Sequence, residues 1–177
     1  SWTIHLVFGD TPDLLAALKR GEVDAVVGSM RLVASGLTTL PIHDERYAFV
    51  ASPQRLAQAP LRGPEDAGNH VLVDISADLP LFRYWRDQAP AEAQWSFGNV
   101  RYLGTIAAIR RWVLAGRGVS VLPRYFVADD LASGALVSVM PDVEPRADWF
   151  RLVWKEGHLR TSALQELGGF LRHRPLT

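Results

Sequence analysis

Three places in the sequence set a hydroxyl-bearing side chain where a helix is about to begin, and such places can hold a small anion. They are Asp10-Thr11 ahead of Pro12, Ser76 to Asp78 after the apolar run Val71 to Asp74, and Leu103-Gly104-Thr105 after Tyr102. The first turn of a helix leaves backbone N–H groups unpaired, and the helix dipole adds partial positive charge there. Thr11, Ser76 and Thr105 would add hydroxyl donors to those N–H groups. Ser29 and Arg31 follow a second apolar run, Ala25 to Val27, and Arg31 offers a charge-assisted hydrogen bond. Tyr102 would supply an apolar wall with a polar tip. Each candidate also has a plainer role: Thr11 and Thr105 as helix caps, Arg31 as a solvated loop residue, Tyr102 as core and Ser29 as the end of its strand.

Other chemistries find no support, and no catalytic residue, metal ligand or cofactor is assigned. The histidines at 5, 43, 70, 158 and 173 are scattered, without a His-Glu-x-x-His pair or an acidic cluster at ligand spacing. Gly118 to Leu122 begins like a nucleophile elbow but lacks its closing glycine. There is no glycine-rich phosphate loop. Asp129 and Asp130 are adjacent and so point from different faces of a helix, which rules them out as a catalytic pair. Arg110 and Arg111 beside Trp112 read as a solvated helix face. With no cysteine, disulfides and thiolate chemistry are excluded.

The elements that must position the candidates alternate between strands and helices. Thr3 to Phe8 reads as a strand, and Thr11 with Pro12 opens a helix carrying Leu14, Leu15 and Leu18 on one side, closed by Gly21. Ala25 to Val27 then completes a strand–helix–strand unit. Strands are predicted at Leu37 to Ile42, Tyr47 to Ala51, Val71 to Asp74, Val100 to Leu103, Val119 to Leu122, Ala135 to Val139 and Phe150 to Trp154. Helices are predicted at Leu81 to Asp87, from Ile106 through Val113, at Tyr125 to Leu131 and after a Thr161 cap. Apolar strands in runs, alternating with helices, predict an α/β protein with mostly parallel sheets. Proline-bearing loops near residues 52–64 and 141–145 predict two lobes, with the chain crossing between them twice.

Composition bounds the rest. The 177 residues balance 19 Lys plus Arg against 19 Asp plus Glu, and a neutral total gives no support to direct DNA binding. No apolar run approaches the roughly 20 residues of a membrane span. The first residues carry neither a basic nor an apolar leader, so a cytoplasmic chain is expected. Starting without methionine, it reads as a piece of a longer protein.

Three stretches in order resemble a known family. GDTPDLLAALKRGEVDAVVG (Gly9 to Gly28) is similar to the LysR-type pattern of a capped helix, then Leu-x-x-Gly-x-x-Asp before a buried strand. LPIHDERYAFVASP (Leu40 to Pro53) resembles that family's strand pair and hinge. LAGRGVSVLPRYFVADDLASGALV (Leu114 to Val137) resembles its helix, Gly-x-Gly turn, strand, proline and following short helix. The resemblance implies the effector-binding domain of a LysR-type transcriptional regulator in the type 2 periplasmic-binding-protein fold. Lobe I would be 1–51 with 148–177 and lobe II 52–147, around a cleft for a small, anionic metabolite. It further implies a homodimer or homotetramer, and DNA contact only through an N-terminal domain not in this chain. One strand–helix unit before Thr3 would also be missing. A transporter's solute-binding protein of the same fold is the alternative.

Overall fold

The computed structural model describes residues 3–29 and 35–174. The chain divides into two compact units, 1–45 with 148–176 and 46–147. The first division falls before the strand β3 (Tyr47–Ala51) rather than at the proline loop after it, because among the described residues β3 pairs only with strands of the second unit.

In the first unit, α1 (Thr11–Arg20) leads to β1 (Ala25–Ser29), then β2 (Leu37–Glu45), and the returning chain adds β8 (Asp148–Lys155) and α6 (Thr161–Arg172). The sheet order is β1-β8-β2 and both ladders are antiparallel. α1 buries Leu18 against Val26 and Val153 on one face. On the other, Leu164 of α6 packs with Ile42, Leu152 and Trp154. Gly21 ends α1 in the left-handed conformation, its N–H reaching Leu18 O at 3.0 Å.

The second unit holds β3, α2 (Pro53–Gln58), a 3-10 helix at Pro64–Asn69, β4 (Val71–Asp74), α3 (Phe82–Arg86), β5 (Asn99–Tyr102), α4 (Ile106–Leu114), β6 (Ser120–Pro123), α5 (Ala128–Ser133) and β7 (Val137–Ser138). β4 and β5 pair in parallel. Val73 N donates to Val119 O and Val119 N to Val71 O, each at 2.9 Å, which joins β4 to the start of β6 in the same direction. β6, β3 and β7 form an antiparallel sheet in that order. One core fills the unit, with Trp85, Phe49, Leu72, Ile109, Leu122 and Leu136 all fully enclosed.

The α/β class and a two-unit chain that crosses twice agree with expectation, but the strand directions do not. Among the described residues only β4, β5 and the start of β6 run parallel. Continuous apolar strands report burial on both faces, and β3 and β8 meet that condition as central antiparallel strands. The pattern carries no information on direction.

The predicted strand Thr3 to Phe8 forms no element, and Ile4, Leu6, Val7 and Phe8 are exposed. A strand needs a hydrogen-bonded neighbour, and no described strand pairs with this segment. Two predicted caps also move. Asp10 occupies the cap position of α1 and Thr11 is its first residue, while Arg160 precedes α6 and the Thr161 hydroxyl donates to His158 O at 2.7 Å. The segment read as a single helix from Tyr125 divides into a 3-10 turn at Arg124–Val127 and then α5. Arg110 is not merely a solvated face residue: it forms a two-bonded ion pair with Asp130, at 2.5 and 2.7 Å, joining α4 to α5.

Candidate functional site

The carboxyl ends of β4, β5 and β6 all lie at one edge of the second unit's sheet, because these three strands run in the same direction. Such an edge is where ligands bind in open α/β sheets. It carries two separate features: a pair of polar loops and a cavity.

The polar loops follow β4 and β5. Asp74, the last residue of β4, is fully buried, and its carboxylate organises the first loop. One oxygen accepts from Ile75 N at 2.7 Å and Leu81 N at 3.2 Å, the other from Phe82 N at 2.8 Å. Burial raises this carboxyl above its ordinary value, against the opposing pull of those three N–H groups. The same residue's carbonyl accepts from Leu103 N at 3.0 Å, and Ile75 O accepts from Gly104 N at 3.1 Å. The two loops are thus tied to each other through Asp74 and its neighbour. Within the first loop Leu79 is in the left-handed conformation (φ 52°), uncommon for a side chain of this kind.

Of the six residues singled out in the sequence, this edge gathers three. Ser76 lies in the first loop, and its hydroxyl donates to Asp78 at 2.5 Å, which holds the Asp78 carboxyl below its ordinary value. Tyr102 ends β5 and is 51% exposed, so it is not core. Thr105 caps α4, accepting from Ala108 N at 3.3 Å, which leaves its hydroxyl hydrogen for a ligand. Thr11 and Ser29 belong to the first unit, at the start of α1 and the end of β1. Arg31 lies outside the described residues.

The cavity, of ≈ 510 Å³, opens beside the facing ends of β3 and β6 and the end of β7. Tyr47 pairs with Pro123 across the ladder, and Arg124 N donates to Arg46 O at 2.7 Å, so two arginines flank the strand ends. Ser138, Met140 and Glu144 complete the wall. The Tyr47 ring is backed by Tyr84, stacked at 4.0 Å. Among the described residues Met140 is the other non-glycine residue with left-handed backbone (φ 50°). Sequence reasoning missed this cavity. The signal was present, since Arg124 follows a buried strand just as Arg31 does.

Among the described residues no group of His, Asp and Glu could hold a metal ion, and no helix is long and apolar enough to cross a membrane.

Comparison with known proteins gives a consistent result. The family described as LysR substrate binding domain matches residues 1–175. The chain is 29% identical over 180 aligned positions to the HTH-type transcriptional regulator AbaB of Streptomyces antibioticus, covering 97% of this chain and 58% of that protein. The regulatory domain of CrgA, a LysR-type transcriptional regulator from Neisseria meningitidis, superposes with a TM-score of 0.72 at 21% identity, over 88% of this chain and 77% of that one. The C-terminal domains of a LysR family protein from Agrobacterium tumefaciens give 0.73 at 25% identity, over 93% and 78%. The chain thus spans little more than half the length of the curated relative.

Proposed function

Because the chain belongs to the LysR substrate-binding-domain family, whose fold is that of type 2 periplasmic-binding proteins, we propose that it senses a small carboxylate-bearing metabolite for a transcriptional regulator. It is the effector-binding domain and has no catalytic role. The observation that carries the reading within the structure is the tied pair of loops at the carboxyl edge of β4 and β5. There Thr105 keeps a free donor and Tyr102 stands exposed. Asp78 beside Ser76 places negative charge at the same edge, which favours an effector that carries an ammonium group as well as its carboxylate. Thr11, Ser29 and Arg31 are kept as proposed effector contacts on their sequence context alone.

The mechanism is a population shift. An effector with different affinity for two states of the domain biases their equilibrium by that difference and no more. The readout passes through a homodimer or homotetramer to DNA held by a separate N-terminal domain in the cytoplasm. AbaB's designation as an HTH-type regulator supports that reading.

The test is thermal unfolding against a panel of amino acids, monocarboxylates and dicarboxylates. A ligand at 100 times its Kd adds about 2.7 kcal/mol to the folded state, a rise of several degrees for a chain of this size. A rise restricted to amino acids supports the reading with its ammonium contact, and a rise with dicarboxylates alone removes Asp78 from the site. A flat response across the panel contradicts effector sensing by this chain.

A further inference from the structure

The cavity beside β3 and β6 is chemically complete without the loops that carry Ser76 and Thr105, and none of the five described residues chosen from the sequence (Thr11, Ser29, Ser76, Tyr102 and Thr105) lines it. Its volume of ≈ 510 Å³ lies within the range of small-molecule sites. One wall is apolar: the small part of Tyr47 left accessible, 5% of the residue, held by its stack on Tyr84, with Met140 and the prolines 141 and 145 nearby. The other wall is cationic. Arg46 and Arg124 are both exposed, and the Arg124 guanidinium has no ion-pair partner among the described residues. Glu144 stands 4.0 Å from Arg46 with both side chains largely exposed, a solvent-screened pairing worth little.

We propose that this cavity is a second ligand site, taking a carboxylate on a planar apolar body. The carboxylate is bound by Arg124 with help from Arg46, and the body lies against Tyr47 and Met140. Guanidinium groups match carboxylates with paired N–H donors, and the aromatic and thioether surfaces suit a flat apolar group. The site does not depend on the proposed role of the loops.

Met140 supplies the reporter, since the chain has two methionines. Methyl-labelled methionine in the full chain is titrated with benzoate, and with benzyl alcohol as its uncharged counterpart. The Met140 signal should shift saturably with benzoate and not with benzyl alcohol. Arg124→Gln, an exposed change that leaves the unfolding temperature in place, should weaken benzoate at least about tenfold, the effect of one charge-assisted hydrogen bond. Glu144→Gln removes the acid beside Arg46 and should tighten binding severalfold, a gain that damage to the fold would not give. Ser76→Ala and Thr105→Val should leave the titration unchanged. The proposal is overturned by an absent or unsaturable shift, by an equal response to benzyl alcohol, by full affinity in Arg124→Gln, by weaker binding in Glu144→Gln, or by a loss in Ser76→Ala that would put benzoate at the loops instead.

Discussion

The two units bury their apolar residues in different ways. The second unit encloses a single core in which Phe49, Phe82, Trp85 and Trp95 contact one another across β3, α3 and the chain before β5. The first divides its burial between two small clusters on opposite faces of one three-stranded sheet, and leaves Ile4, Leu6, Val7, Phe8 and Val27 exposed. A continuous core opens as a block, whereas small separate clusters open locally at lower free energy. The contrast places the rigid part of the molecule under the β4–β5 loops and the cavity, where a ligand needs preorganised partners.

The largest effect should come from Trp85, which is 1% exposed at the centre of that core. Trp85→Ala should cost about 3–5 kcal/mol in chemical denaturation, by lost transfer free energy and the void left behind. Hydrogen exchange should then accelerate at β3 and β4 while β1 and β8 keep their rates. Equal acceleration in both units would erase the distinction between them.

Asp74→Ala should follow, at about 3 kcal/mol, because three N–H groups, two of them in buried hydrogen bonds, lose their acceptor. Calorimetric unfolding measures the cost, and a loss below 1 kcal/mol would mean that the loop is held by something other than this carboxylate.

A smaller, pH-dependent effect belongs to His70, buried in the second unit between Arg55 and Pro60. Burial is the main cause holding its pKa below the ordinary 6.5. Between 6.5 and the lower folded value, the unfolded chain binds more protons than the folded one. Stability therefore falls as pH drops through that window, by at most about 1.4 kcal/mol per unit, and His70 contributes no pH dependence above it. Stability measured from pH 7.5 to 5 should lose this slope in His70→Gln; an unchanged slope would assign it elsewhere.

The smallest effect is expected at Phe8, 88% exposed. Phe8→Ser should change stability by no more than about 0.5 kcal/mol. A cost of 2 kcal/mol in thermal unfolding would show that the segment before α1 is buried in solution and that the first unit is better packed than described.

The same contrast governs what the sequence revealed. In the second unit, Val71 to Asp74, the Thr105 cap and the buried strand before Pro123 were legible because local propensity and tertiary burial agree there. In the first unit Thr3 to Phe8 has the composition of a strand and still forms none, since a strand is made by its neighbour. The candidate site was half legible. A hydroxyl at a helix start is a local signal, so the Thr105 cap could be read, whereas Ser76 lies in the loop well ahead of α3, whose cap position is Leu81. The role of Asp74 depends on N–H groups seven and eight residues ahead converging on one carboxylate. The cavity arises from a ladder that sets Tyr47 opposite Pro123, a pairing of distant segments that no local pattern encodes.

Effector sensing at the carboxyl edge of β4 and β5 can be checked by mapping backbone amide shifts with the ligand that most raises the unfolding temperature. The largest shifts should fall at 75–81 and 102–106, with affinity reduced in Thr105→Val. Shifts confined to other residues, together with full affinity in that variant, would contradict it.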